Sequence, residues 1–157
     1  AEIKGDGSLD YDKKFFDEFD IVGASIHQGY NQSPEKLTGR AVKALSHPSV
    51  SFLYHPTNRL IGRREGHSLD MPKVIKAAKD NGKLLEIDGQ PNRLDLDDVW
   101  AKRAMEEGVA LAIDSDAHSA GELENISFGV IVGRRAWLEK RHVANTRSLK
   151  DLLRLLA

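Results

Sequence analysis

Three histidines and several carboxylates recur in one kind of place along this chain, at the C-terminal ends of short apolar runs. The run from Ile21 ends in His27, and the run from Val50 ends in His55. Leu84-Leu85-Glu86-Ile87-Asp88 carries two carboxylates at its end, and Val109 to Ile113 leads into Asp114-Ser115-Asp116-Ala117-His118. Asp116 and His118 are separated by one residue, so both side chains can point to the same side of an extended segment. A carboxylate oxygen and an imidazole nitrogen aimed at one point make half of a divalent metal site. With no cysteine in the chain, the donors are imidazole and carboxylate only, which suits Zn²⁺, Mn²⁺ or Fe²⁺ without choosing among them. Clusters of such ions hold a phosphate and generate hydroxide for attack on phosphorus. One histidine after a strand is ordinarily a hydrogen-bonding residue. Repetition at the same topological position is what favours the metal.

The arginines divide by position. Arg59 follows His55 by four residues and Arg93 lies in the loop after Asp88, so either could clamp an anionic substrate through a bidentate phosphate contact. Arg134, after a further apolar run, is a weaker candidate for the same role. Arg63, Arg64 and Arg135 read as solvated loop charges, as do His47, His67 and His142 as surface residues. Asp95, Asp97 and Asp98 read as first-turn helix charges.

The apolar runs are near-continuous rather than alternating, as in the buried strands of parallel sheets. Helical stretches separate them. Ser33-Pro34 caps a helix through Leu45, Asp70 caps one closed by Asn81-Gly82, and Asp95 to Glu107 forms another that ends at Gly108. Ala1-Glu2-Ile3 reads as the last residues of a strand, Leu9 to Phe19 as a short helix, Ile126 to Val132 as a strand or buried loop, and Ser148 to Leu156 as an amphipathic helix. Strand, loop and helix recur about every 30 residues, the size of a βαβ unit. That is an α/β chain with parallel strands and crossover helices, either doubly wound or a barrel. No glycine fingerprint for a dinucleotide follows the first strand, and polar groups from several strands on one face favour a barrel mouth.

With 157 residues, 40% of them hydrophobic and 30% charged, the chain suits one soluble domain. It has no apolar run long enough for a membrane span and no signal-peptide pattern. Together with the lack of cysteine this leads to the expectation of a cytoplasmic protein without a membrane partner. A net charge of −1 means that any nucleic acid must be gripped by a local basic strip or by other domains.

The blocks AEIKGDGSLDY, FDIVGASIHQGY, YHPTNRLIGRREG, LLEIDGQPNRLDL, AIDSDAHSAGEL and FGVIVGRRAWL, with the late VANT, resemble PHP (polymerase and histidinol phosphatase) domains. They are most similar to the PHP domain of bacterial and archaeal family X DNA polymerases. The resemblance covers nearly the whole chain and implies the C-terminal portion of a distorted (βα)₇ barrel. Its mouth would bind up to three metals, Mn²⁺ or Zn²⁺. By matching position the ligands would be Glu2, His27, His55, Asp116 and His118. On the placement of the residues, His55, Asp116, His118 and Arg59 are the expected catalytic groups and Arg93 and Arg134 further phosphate contacts. The implied activity is metal-dependent hydrolysis at DNA 3′ ends, as a 3′–5′ exonuclease, 3′-phosphatase or abasic-site endonuclease. The alternatives are a phosphatase for a small phosphomonoester such as histidinol phosphate, or a degenerate PHP scaffold.

The chain departs from the family pattern in three residues and in one absence. Asn58 stands in HPTNR where glycine is usual, Asp88 adds a carboxylate to the usual EIN, and Asp114 stands where a small or polar residue is common. The family's early His-x-His and Asp-His motifs are missing. The expectation is therefore a piece of a longer protein, inactive alone, whose partners are the N-terminal half of the barrel and, through polymerase domains, DNA.

Overall fold

The structure is a computed structural model and describes residues 1–156. Four strands form one parallel sheet: β1 (Gly23–Ala24), β2 (Phe52–Leu53), β3 (Leu84–Asp88) and β4 (Leu111–Asp114). Their spatial order equals their chain order. Each connection therefore steps one strand along in the same direction, as in an arc of a barrel, whereas a doubly wound sheet reverses once. The fold is α/β and agrees with the C-terminal part of a PHP barrel.

The helices start where the capping residues place them. The Ser33 hydroxyl accepts from Lys36 N at 3.4 Å and opens α2 (Pro34–Leu45). Asp70 accepts from Lys73 N at 3.2 Å ahead of α3 (Met71–Asp80). Asp97 accepts from Trp100 N at 2.9 Å ahead of α4 (Asp98–Glu106). Each cap satisfies an N–H that the helix itself cannot. The buried stripes of these helices, such as Leu37, Ala41, Ala44 and Leu45 of α2, join Leu53, Leu85, Ile87 and Leu111 in one core. The opposite face of the sheet carries Phe52 and Leu84 and is covered by Leu152, Leu155 and Leu156 of α6 (Leu149–Leu156).

The run from Ile126 is neither strand nor loop but a helix, α5 (Ile126–Arg135). Its β-branched composition resembles a strand, and a short apolar run cannot settle the period. Small buried residues at helical spacing decide it: Gly129, Val132, Gly133 and Ala136. A Cβ added to Gly129 would sit 2.7 Å from Ile113 Cγ2, so the helix approaches β4 as closely as it does because no side chain intervenes. Gly129→Ala is accordingly expected to cost about 1–3 kcal/mol by overpacking, measured by urea unfolding. A change under 0.3 kcal/mol would contradict this packing.

The segment 9–19 also forms less helix than its pattern suggests, only α1 (Lys13–Phe16). Leu9 instead bridges Ile3, and Phe15 and Phe19 remain exposed in a stack with Tyr11. Ala1 to Ile3 does act as the end of a strand: Glu2 pairs in parallel with Ser25, beside β1. At the other edge Val143 bridges Leu111, and the Asn145 carboxamide bonds both Ile113 N (3.1 Å) and Ile113 O (2.7 Å), standing in for a neighbouring strand. No helix among the described residues is long and apolar enough to cross a membrane.

Candidate metal centre

The strand ends bring the expected donors to one mouth. Because Glu2 pairs with Ser25, its carboxylate lies beside the residue two further on, and Glu2 Oε2 is 2.7 Å from His27 Nδ1. The His27 N–H donates to the same carboxylate at 3.2 Å. The His27 and His55 rings stand 5.2 Å apart, edge to face. His27, His55, Asp116 and His118 line one open cavity of about 470 Å³, together with Tyr54, Glu86 and Asp114. Glu2 reaches it through His27.

The protonation of these groups suits metal ligation. Burial, then the nearby Arg93 and His27, pushes His55 down to about 3, so it is a neutral imidazole at any physiological pH. Its Nδ1 is buried without a hydrogen-bond partner. His118 Nδ1 lies 2.7 Å from the Asp116 carbonyl, which selects the Nδ1–H tautomer and leaves the Nε2 lone pair for a ligand, the usual state of a metal-binding histidine. In donor type and tautomer, then, the residues fit a divalent ion. They do not close on one point: among the described residues no three His, Asp or Glu side chains are arranged to hold one ion. Glu2–His27–His55 form one wall and Asp116–His118 the other.

Beneath the cavity lies a carboxyl floor. Glu86 is 1% exposed and accepts the His55 N–H. Burial first, then the Asp114 carboxylate, raises its pKa well above normal. Burial also raises Asp114. Of the two carboxylates at the end of β3, Glu86 lines the cavity and Asp88 is fully buried beside Arg93. Asp88 accepts from Gln90 N at 2.6 Å, and burial pushes it up to about 7.

The arginines differ from expectation. Arg59 donates to the carbonyls of Arg93 (2.7 Å) and Leu94 and to Asp97 (3.4 Å), so its guanidinium braces the 93–97 loop rather than facing the mouth. Arg134, in the last turn of α5, lines a separate groove with Lys140 and Asn145. Arg93 is at the mouth, but as an internal partner: Nε lies 3.5 Å from both Asp88 and Asp116, and Nη1 donates to Asn58 at 2.8 Å.

Asp95 is not a helix-end charge either. It is fully buried and accepts from the main-chain N–H of Thr57 (3.2 Å) and Asn58 (2.7 Å), with its pKa pushed by burial up to about 6.

His47, His67 and His142 are half-buried rather than surface residues. His67 Nε2 is 3.2 Å from Asn58 Nδ2, and burial, followed by Arg64 and Arg40, pushes its pKa down to about 4. The unfolded chain protonates this histidine near 6.5 and the fold does not. The stability it preserves is therefore present above that value and lost as pH falls toward 4. His67→Gln should flatten the acid limb: from pH 7 to 4.5 the wild type should lose about 1 kcal/mol more than the variant, discounted for partial exposure. Parallel curves from denaturant melts across that range would contradict the assignment.

No family model matches the chain. It is similar, at 42% identity over 151 residues (96% of its length), to the DNA polymerase/3′-5′ exonuclease PolX of Bacillus subtilis. It is also 29% identical over 150 residues to a probable phosphatase of Thermoanaerobacter sp., and 28% identical over 124 residues to one of Acetivibrio thermocellus. The chain spans 26% of the length of the Bacillus protein and 59% of the Thermoanaerobacter one.

Proposed function

We propose that this chain, the C-terminal part of a PHP domain most like those of family X DNA polymerases, supplies part of the centre of a metal-dependent phosphoesterase acting on DNA 3′ ends. The observation that carries the reading is the meeting of His27, His55, Asp116 and His118 around a single cavity, with Glu2 bonded to the first of them. A relative of 42% identity whose name includes a 3′-5′ exonuclease supports the choice of substrate. In the complete protein the N-terminal half of the barrel would supply the remaining ligands, and its polymerase domains would help hold the DNA.

Glu2, His27 and His55 would bind from one side and Asp116 and His118 from the other. A Mn²⁺ or Zn²⁺ cluster there would polarise a phosphoryl oxygen and generate hydroxide at neutral pH. The chain's own residues prepare the site for it. His55, already neutral, offers a lone pair without first losing a proton, and His118 offers Nε2. Arg93 keeps the Asp116 side chain directed across the mouth while neutralising Asp88 behind it. Burial of Glu86 disfavours a further negative charge on the floor, where it would repel an incoming phosphate, and its side chain fixes the His55 main chain.

A second reading, a phosphatase for a small phosphomonoester, is favoured by the relatives named probable phosphatases. The complete protein loaded with Mn²⁺ separates the two. Turnover of a 3′-recessed or 3′-phosphorylated DNA at least 100 times faster, in kcat/KM, than of histidinol phosphate is the expected result. The reverse preference would replace the first reading by the second.

A further inference from the structure

Asn58 is 2% exposed, sits at a φ of +52°, and has every polar group of its carboxamide engaged. Nδ2 donates to the Ile26 carbonyl at 3.0 Å and lies 3.2 Å from His67 Nε2. Oδ1 accepts from Arg93 Nη1 at 2.8 Å and from Arg64 Nη2 at 3.0 Å. Its main chain is tied as well, with its N–H on Asp95 at 2.7 Å and its carbonyl receiving Arg64 at 2.8 Å. An asparagine has two amide protons and two carbonyl lone pairs, and here all four are used.

The partners are not a random set. Ile26 immediately precedes His27. Asn58 itself belongs to the turn that follows His55, whose carbonyl accepts the Asn58 N–H at 2.9 Å. Arg93 lies 3.5 Å from Asp116. One buried carboxamide, itself in the turn that follows His55, thus ties the Ile26 carbonyl beside His27 to the Arg93 guanidinium that pairs with Asp116, linking the ends of different strands above the sheet. Buried polar networks whose members are all satisfied fix one geometry, because any rearrangement strands a polar group in a dry interior.

We infer that Asn58 is a positioning residue, whose carboxamide locks the His27 strand end, the His55 turn and the Arg93–Asp116 pair into one seat for the metal-binding side chains. The inference rests on the cavity being a metal seat, as proposed above. It also makes the loop after β2 more than a cover, since the loop then carries the geometry of both walls.

The test uses the complete protein with Asn58→Gly and Asn58→Asp. Glycine accepts the positive φ without strain, so the first variant removes the carboxamide and leaves the turn intact. Aspartate keeps an acceptor for both arginines and loses the donor to Ile26. Two quantities are read: Mn²⁺ affinity by EPR, and amide hydrogen exchange of the metal-free protein. Asn58→Gly is expected to weaken Mn²⁺ binding about 10–100-fold, the usual effect of losing a group that orients metal ligands. Its exchange should quicken at 26–28 and 92–94 as well as at 55–60. Asn58→Asp should quicken 26–28 but spare 92–94. Exchange altered only at 55–60, with Mn²⁺ affinity within twofold of wild type, would overturn the inference and leave Asn58 a local turn residue. If the wild type binds no Mn²⁺, the spread of exchange decides alone. If it binds Mn²⁺ and hydrolyses no phosphoester, the proposed activity fails and the positioning role stands.

Discussion

Replacing His118 by alanine in the complete protein is expected to lower Mn²⁺-dependent hydrolysis of a 3′-phosphorylated DNA by about 10³-fold, roughly 4 kcal/mol of lost transition-state stabilisation. The imidazole is preset for ligation, with Nδ1 on the Asp116 carbonyl and its main-chain N–H on Glu122 at 2.8 Å. It is exposed and packs against little, so truncation should leave the fold intact and the loss should appear in kcat and in metal affinity rather than in stability. His142→Ala is the matched control, because that histidine is engaged only with Glu139 and Arg141, away from the cavity. Single-turnover rates at saturating Mn²⁺ check the pair. A His118 variant within fivefold of wild type would remove this residue from the centre.

The largest effect on stability should come from Asp95→Ala. Two main-chain N–H groups donate to this carboxylate inside the protein, that of Thr57 and that of Asn58, the second shared with the His55 carbonyl. An unpaired buried donor costs about 1–3 kcal/mol, so the substitution should destabilise by about 3–5 kcal/mol once the void is included. Asp95 also leaves a pH signature. Its pKa is pushed up to about 6 in the fold, above the ordinary carboxylate value, so the folded state holds the proton more tightly. Its contribution is full below pH 4 and is lost as pH rises to about 6. Asp95→Asn should therefore abolish a downward slope in stability across that window, an outcome that chemical denaturation at pH 4, 5 and 6 can show. Identical slopes would place the carboxylate's proton elsewhere.

How much of this was legible in the sequence follows from what each feature depends on. Caps and strand ends are local, so Ser33, Asp70 and the repeated placement of His27, His55 and His118 could be read directly. The parallel sheet followed from the aliphatic runs and their spacing. The helix at 126–135 was hidden because its buried face has, beside Val132, only glycines and alanine, which carry little hydrophobic signal, while its outward Ile126, Val130 and Ile131 carry much. The partners of the arginines were hidden for a related reason. A guanidinium near a mouth can meet a phosphate or a carbonyl with equal chemistry, and only the folded loop reveals that Arg59 is spent on Arg93 and Leu94. Asn58, where the family pattern has glycine, looked like a disturbance of the loop. Its contacts with Ile26, Arg93 and Asp95 join residues more than 30 positions away, and spacing cannot expose them. The raised carboxyls of Glu86, Asp88 and Asp95 likewise arise from burial, which single residues do not announce.

The most direct test is a count of bound metal. The complete protein, dialysed after incubation with Mn²⁺ and examined by EPR and elemental analysis, should retain at least one ion per chain. His55→Ala, which removes the buried neutral imidazole of the Glu2–His27–His55 wall, should release it while the protein remains folded. Retention of the same metal content by that variant, or no bound metal in the wild type, would contradict a metal centre built on His27, His55, Asp116 and His118.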